Sequence, residues 1–317
     1  MRYLLVGDLH LDLHRRFEDT VSLLHYIADL AFDYKVDKVL QLGDAYESRR
    51  PYQQEMRALE TWAKRIADRG IDVVFIEGNH DLTGGTSALG EFKILNIPGI
   101  HVYGSPHIED DIFMGHFGLA ESSMGPLDFH IPNQMLLRDF LVSYPGCSLY
   151  ALGHIHKPQF MHQNPTVFHT GSIDRTDFGE LGEDKFVYFA ETGGDGQVHT
   201  LDSIKLPLRP MIQINMKATA SFPVGDYKDS IVKVIVSGTR NELKNFDEAS
   251  IRGQLVNAYS LSVSYDIERP KTVREDREVI KEGVTAQKAL EEYVKTLKIG
   301  DELEKKVLEK GIEVIGG

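Results

Sequence analysis

Short apolar runs of strand length recur through the first 190 residues: Tyr3–Val6, Val39–Leu42, Val73–Ile76, Ile112–Met114, Leu149–Leu152 and Phe186–Phe189. Between the early runs the apolar spacing changes to a helical one. Phe17, Val21, Leu24, Ala28 and Ala31 fall on one helical face. So do Met56, Leu59, Ala63 and Ile66, in a segment opened by Pro51 and closed by Gly70. Strands alternating with helices predict an α/β domain over residues 1–206. Leu206-Pro207-Leu208-Arg209-Pro210 then reads as a linker, because its two prolines exclude helix and central strand.

Beyond the linker, strand-like runs at Met211–Ala218, Ile231–Ser237 and Leu261–Ile267 accompany a helical stretch over about 240–258. They predict a second, small α/β domain at 211–270. A charged connector, Lys271–Glu282, leads to two short helices. Ala286, Leu290, Tyr293, Val294 and Leu297 form an apolar face on the first, and Asp301 can cap the second, which carries Leu303 and Val307 on one side. Helices this short are not stable alone, so the pair at about 284–313 must pack on the small domain or on a partner.

Composition narrows the class. The single cysteine, Cys147, excludes an internal disulfide framework and a thiolate-rich zinc site, and suits a reducing cytoplasm. The apolar run at the N-terminus is too short for a signal-peptide core, and no stretch approaches the roughly 20 apolar residues of a membrane span. A soluble cytoplasmic protein is expected, with no membrane partner. The net charge of −13 is unevenly placed: residues 211–317 hold 17 basic and 18 acidic groups, residues 1–210 hold 18 and 30. Bound divalent cations would offset part of that excess locally. The remainder argues against tight unaided binding to bare duplex nucleic acid, which rests mainly on Lys and Arg contacts to phosphate.

The candidate chemistry sits at the ends of the predicted strands. Asp8-Leu9-His10 follows the first and Gly43-Asp44 the second. Gly78-Asn79-His80-Asp81 follows the third, Gly115-His116 the fourth and Gly153-His154-Ile155-His156 the fifth. In open α/β sheets that rim is where ligands bind. The inventory of carboxylates, imidazoles and one amide fits a pair of divalent cations, and suits Mn²⁺, Fe²⁺ or Zn²⁺ better than Ca²⁺. Asp8 and His10, two residues apart, can share an ion. His154 and His156 can do the same unless a bend at Gly153 sends them to different ions. Asp44 is the expected bridging carboxylate. Each motif alone could be a capped loop or a turn; five in this order at five strand ends make that reading untenable.

The order D-x-H, G-D, G-N-H-D, G-H, G-H-x-H resembles that of the calcineurin-like metallophosphoesterases and spans residues 8–156. Two neighbouring segments narrow the resemblance. Gly43-Asp44-Ala45-Tyr46-Glu47-Ser48-Arg49-Arg50-Pro51 is similar to the "GDLF…SRP" segment of SbcD-type nucleases. Gly171-Ser172-Ile173-Asp174-Arg175-Thr176-Asp177-Phe178-Gly179-Glu180 is similar to their "GSIERTSFGE" segment, which general phosphatases lack. The tail, with Val234–Leu243 in a small capping domain, resembles the same subfamily, so the likeness covers nearly the whole chain.

The resemblance implies a calcineurin-like α-β-β-α sandwich of two mixed sheets, a capping domain and a C-terminal helical pair. It implies a Mn²⁺-dependent DNA exonuclease or endonuclease of an SbcC/SbcD-type double-strand-break repair complex, with Mg²⁺, Fe²⁺ or Zn²⁺ left open. Carried over by position, Asp8, His10, Asp44 and His156 would hold one ion, and Asp44, Asn79, His116 and His154 the other. His80 would act on the scissile phosphate or the leaving oxygen without binding metal. Two such ions lower the pKa of a bridging water and clamp the phosphate. The family's partners are DNA, a second copy of the chain packed near residues 56–66, and the coiled-coil base of an SbcC-type ATPase held by the tail. A cytoplasmic or nucleoid-associated location goes with these. Arg49, Arg50 and Arg175 are candidate contacts to the DNA backbone, against the plain reading of an exposed loop.

Two positions depart from the family. Glu47 stands where many members carry a histidine; ionised, it cannot donate to a phosphate, but it could orient His80 by accepting its proton. His169 stands where an aromatic residue is common. The other histidines outside the motifs (His14, His25, His101, His107, His130, His162 and His199) read as surface or core, as does the face Met56/Leu59/Trp62/Ala63/Ile66. The rival readings are a small-molecule phosphodiesterase or phosphatase on the same scaffold, and a non-catalytic protein that keeps the fold.

Overall fold

The computed structural model describes residues 1–83, 85–123, 134–268, 290, 293–294 and 301–315. The chain opens with β1 (Arg2–Val6), α1 (Phe17–Asp33), β2 (Lys38–Gln41), α2 (Gln53–Ala67) and β3 (Asp72–Ile76). A hairpin of β4 (Leu82–Thr83) and β5 (Thr86–Ser87), then α3 (Gly90–Leu95), lead to β6 (Ile100–Tyr103). After them come β7 (His107–Glu109), β8 (Ile112–His116), α4 (Leu137–Ser143), β9 (Leu149–Gly153), β10 (Gln159–Gln163) and β11 (Thr166–His169). A 3-10 turn at Phe178–Glu180 precedes β12 (Phe186–Thr192) and β13 (Val198–Lys205).

These strands form two mixed sheets. One has the order β13-β12-β1-β2-β3-β6, with β1, β2, β3 and β6 parallel and β12 and β13 antiparallel. The other has the order β10-β11-β9-β8-β7, with β8, β9 and β11 parallel. Strand alternation decides the layers. Tyr3, Leu5, Leu40, Leu42, Val74 and Ile76 turn inward and pack on Ile112, Met114, Leu149, Ala151 and Phe168 of the second sheet. Leu4, Val6, Val39, Val73 and Phe75 turn the other way, onto Leu24, Ile27, Leu59 and Trp62 of α1 and α2. Phe113, Tyr150, Leu152 and Val167 cover the far side with Phe140 of α4. The result is the expected α-β-β-α sandwich. Residues 206–210 carry the chain from β13 to the next strand.

The small sheet that follows is parallel: β14 (Met211–Lys217), β15 (Ile231–Gly238) and β16 (Ser260–Ile267), in that order. Val232, Val234 and Val236 pack on Ile251, Leu255, Leu243 and Phe246 in an apolar core of their own. The helix expected over 240–258 is two helices, α5 (Arg240–Lys244) and α6 (Glu248–Gln254). Thr239 and Glu242 form a capping box that starts the first. The second has its own cap, the Asp247 side chain accepting from the Ser250 amide at 3.1 Å, and so the chain restarts there.

Two compact units result, Met1–Ile267 and Glu268–Gly317. In the second, Leu290, Tyr293 and Val294 are helical and a helix spans Asp301–Ile315. The connector Lys271–Glu282, and Ala286 and Leu297 of the apolar face, lie outside the described residues. Among the described residues, no helix is long and apolar enough to cross a membrane.

Candidate metal centre

The motif strands divide between the sheets: β1, β2 and β3 belong to one, β8 and β9 to the other. The rim of a single open sheet is therefore replaced by the joint end of a sandwich, where both sheets present side chains to one cleft. The turns there are sharp. His10, Asp44 and His154 all hold left-handed backbone, with φ of 46°, 50° and 77°. Such conformations cost non-glycine residues on the order of 1–3 kcal/mol each, and they persist only where surrounding contacts enforce them.

Those contacts are visible. The Asp44 carbonyl accepts from the amides of Leu9 and His10, each at 3.0 Å. The Asp8 carboxylate accepts from the His154 amide at 3.1 and 3.0 Å, and Asp44 Oδ1 accepts from the His80 amide at 2.8 Å. Four of the five motifs are thus braced through the backbone of one another. The glycines permit the close approach: a Cβ on Gly78 would stand 2.2 Å from Asp44 Oδ1, and one on Gly153 2.2 Å from the Leu42 carbonyl oxygen. Buried Asp81 joins two loops, accepting from the amides of Gly78, Ala45 and Tyr46 at 2.9, 3.3 and 3.2 Å.

The side chains converge in two main sets. Asp8, His10 and His156 form one, Asp44, His116 and His154 the other, with one donor atom per residue lying within 4.8 Å of the rest of its set. His10 Nε2 and His156 Nε2 are 2.9 Å apart, and Asp8 Oδ2 is 3.8 Å from the latter. In the second set, Asn79 Oδ1 lies 3.1 Å from His116 Nε2 and 2.9 Å from His154 Nδ1. Asp44 Oδ2 joins the two, at 3.1 Å from His116 Nε2 and 3.9 Å from His10 Nε2. The structure places His154 and His156 in different sets, with the bend at Gly153–His154 between them. All seven residues singled out as ligands are here, and His80 is beside them.

The donors fit divalent cations. Two imidazole nitrogens bound at right angles to one ion, each at about 2.1 Å, would be about 3 Å apart. The 2.9 Å between His10 and His156 matches that spacing. Charge says the same. Burial opposes a charged His116, yet its hydrogen bond to Asp44 and the charges of Asp8 and Asp44 push it up to about 9. Asp44 falls to about 2, its burial outweighed by His116 and His10. The carboxylates thus draw protons onto the imidazoles where a cation would otherwise sit.

Behind the two sets lies an outer layer. His116 Nδ1 is 2.7 Å from the Leu42 carbonyl oxygen, which fixes the ring with Nε2 turned inward. His156 Nδ1 is 3.1 Å from Glu180 Oε1. Glu180 also accepts from the Thr176 hydroxyl at 2.9 Å and pairs with Lys185 Nζ at 2.8 Å. Lys185 is fully buried and donates to the His156 carbonyl oxygen at 2.8 Å. Burial works to raise Glu180, but His156 and Lys185 hold it at about 2. Glu180 stood in the segment that carried the resemblance; Lys185 had no motif to mark it.

Glu47 is arranged differently from expectation. His80 Nδ1 does face residue 47, but through the backbone carbonyl oxygen, at 2.7 Å. The Glu47 carboxylate turns to His10 instead, with Oε2 2.8 Å from Nδ1, a contact whose alignment falls short of a hydrogen bond. That contact lowers the Glu47 pKa against the effect of burial. His10, Glu47 and His80 make a third close set, which shares His10 with the first.

Arg49 and Arg50 are exposed and, with Glu47, Ser48 and His80, line an open depression of about 530 Å³. Arg175 lies near Arg15 and Arg16 in a second depression that also reaches Asp8, His10 and Glu47, and its Nε donates to the Glu183 carbonyl oxygen at 2.7 Å. His169 is buried, with Nε2 2.9 Å from the Ser122 hydroxyl and Nδ1 3.2 Å from the Gly153 carbonyl oxygen. His14 packs on Tyr52, His101 and His107 stack on Tyr103, His25 lies against Arg65, His162 faces the Pro165 carbonyl oxygen and His199 pairs with Asp195. His130 lies outside the described residues. Leu59, Trp62, Ala63 and Ile66 are buried in the chain's own core, so a dimer in this region would have to use other side chains.

A family described as "Calcineurin-like phosphoesterase" matches residues 1–158, the stretch that holds every motif of the cleft. The chain belongs to the calcineurin-like metallophosphoesterases, a family that binds divalent metals. Within it, the chain is similar to the uncharacterized metallophosphoesterase YhaO of Bacillus subtilis, at 23% identity over 62% of this chain and 58% of YhaO. It is similar to the DNA double-strand break repair protein Mre11 of Methanocaldococcus jannaschii, at 23% identity over 70% of this chain and 71% of that protein. For the Mre11 of Saccharolobus solfataricus the figures are 28%, 67% and 66%. The chain thus spans between 58% and 71% of the lengths of these relatives.

Proposed function

We propose that this protein is a DNA nuclease, exonuclease and/or endonuclease, that hydrolyses phosphodiesters with two divalent cations, Mn²⁺ foremost. The carrying observation is the position of Asp44 Oδ2, in reach of both donor sets at once. Asp8, His10, Asp44 and His156 would hold one ion, and Asp44, Asn79, His116 and His154 the other. A mixed set of imidazole, carboxylate and amide donors without thiolate suits Mn²⁺, with Mg²⁺, Fe²⁺ and Zn²⁺ as the other candidates. When bound, such a pair supplies Lewis-acid charge stabilisation of a phosphodiester and activation of water at neutral pH.

The chain's own residues do the rest. The Glu47 carbonyl accepts the Nδ1 proton of His80 and fixes that ring beside the cleft, where it hydrogen-bonds the phosphate or the leaving oxygen. Arg49 and Arg50 offer bidentate donors to a neighbouring phosphate, and Arg175 is a further contact in the adjoining depression. The choice of DNA rests on the relatives named as double-strand break repair proteins, and on the Gly43–Pro51 and Gly171–Glu180 segments.

The acidic N-terminal part disfavours tight unaided engagement of duplex DNA, which a DNA-holding partner would offset. An SbcC-type ATPase bound by residues 271–317, with the small domain at 211–270 capping the nuclease domain at 1–206, fits that need. A homodimer and a cytoplasmic or nucleoid-associated location complete the reading. Competition tests the substrate: linear DNA should inhibit hydrolysis of bis-p-nitrophenyl phosphate at concentrations where mononucleotides do not. Equal inhibition by both would favour a small-molecule phosphodiesterase.

A further inference from the structure

The two donor sets are backed unequally. In the first, both imidazoles have a carboxylate behind them: Glu180 Oε1 lies 3.1 Å from His156 Nδ1, and Glu47 Oε2 2.8 Å from His10 Nδ1. Asp8 and Asp44 add two more negative groups at the front. In the second set, the hydrogen-bond acceptor behind His116 is the neutral Leu42 carbonyl at 2.7 Å, with Asp8 Oδ1 farther off at 3.9 Å from the same nitrogen; Asn79 contributes a neutral amide, and Asp44 is shared. A carboxylate behind a metal-bound imidazole fixes the ring and raises its basicity. Glu180 is itself held by Thr176 and buried Lys185, so its orientation is set before any ion arrives. Glu47 is less constrained, its side chain 32% exposed, and a small turn would bring it into line with His10.

We propose that Glu47 and Glu180 are positioning residues for His10 and His156, and that they make the Asp8/His10/His156 site the tighter of two unequal cation sites. The ion between Asn79, His116 and His154 then binds more weakly and loads second. Glu47 would do for His10 what Glu180 does for His156, through the negative charge of its carboxylate. The inference rests on the two-cation reading above.

Titration of the full-length metal-free protein with Mn²⁺, followed by calorimetry and by the electron paramagnetic resonance of free Mn²⁺, tests it. Two ions in two classes are expected. E47Q should weaken the tight class roughly 10- to 100-fold, the usual effect of removing such a partner, while the weak class and the melting temperature of the metal-free protein hold. E180Q should act in the same direction; because Glu180 also pairs with buried Lys185, E47Q is the decisive variant. Asn79→Ala should abolish the weak class alone. Two equal classes, or an unchanged tight class in E47Q, would overturn the proposal and leave the two-cation reading intact. Binding of one ion or none by the wild type would overturn that reading itself.

Discussion

Nε2 of His10 and Nε2 of His156 stand 2.9 Å apart, brought together by the ends of strands in different sheets. Two imidazole nitrogens at that distance need either a proton or a cation between them. His156 is pushed up against its own burial by Glu180 and Asp8, and His116 reaches about 9. Cation binding must therefore displace protons, and should weaken as pH falls below about 9. Calorimetric titrations with Mn²⁺ in two buffers of different ionisation enthalpy should show proton release. Mn²⁺ at about 100 times its dissociation constant should also add about 2.7 kcal/mol of stability per site. A melting temperature that ignores both Mn²⁺ and EDTA would contradict this.

His80 belongs to no main donor set, although it lies 5.2 Å from the His10 ring, centroid to centroid. His80→Asn should keep both ions, by elemental analysis, and lower the turnover number about 10²- to 10⁴-fold. Loss of metal in the variant would show instead that His80 is a ligand.

His169 gives a pH prediction of the opposite kind. Burial lowers its pKa to about 3, with the Gly153 carbonyl opposing and the charges of His154 and His116 adding to the fall. The unfolded chain then binds a proton that the folded one refuses. Its contribution is complete above about pH 6.5 and is lost, at about 1.4 kcal/mol per pH unit, as pH falls toward 3. His169→Phe should flatten this acid limb in urea unfolding at pH 5 and 7.5, even if it lowers stability at 7.5 by losing the bonds to Ser122 and Gly153. The same slope in both proteins would mean that another group drives the acid limb.

Much of the centre was legible because its residues sit in short motifs at the ends of strongly apolar strands. Tyr3–Val6, Val39–Leu42 and Leu149–Leu152 are buried on both faces, so they read as continuous runs. The edge strands were not legible. His107–Glu109 and Gln159–Gln163 are half-exposed and carry too few apolar residues for any period to show. The division into two sheets, which depends on long-range pairing, came from the family resemblance and not from the apolar pattern. Lys185 was missed because a lone lysine gives no sign that it will be buried against Glu180. The direction of Glu47, its carboxylate toward His10 and its carbonyl toward His80, is a matter of tertiary geometry, which no spacing rule supplies.

The C-terminal unit, Glu268–Gly317, carries the partner prediction. Truncation after about residue 280 should abolish capture of an SbcC-type ATPase and spare hydrolysis of bis-p-nitrophenyl phosphate. An undiminished pull-down by the truncated protein would rule out this segment as the binding element.

The most direct measurement is cleavage of end-labelled linear and hairpin DNA by the purified chain with Mn²⁺, beside Asp8→Ala and His80→Asn. Wild type should cut, EDTA should stop it, and both variants should be inactive or nearly so. The fragment pattern would then show polarity and what Glu47 permits in place of histidine. Cutting that survives Asp8→Ala, or hydrolysis of small diesters with DNA untouched even when the ATPase is added, would contradict the account.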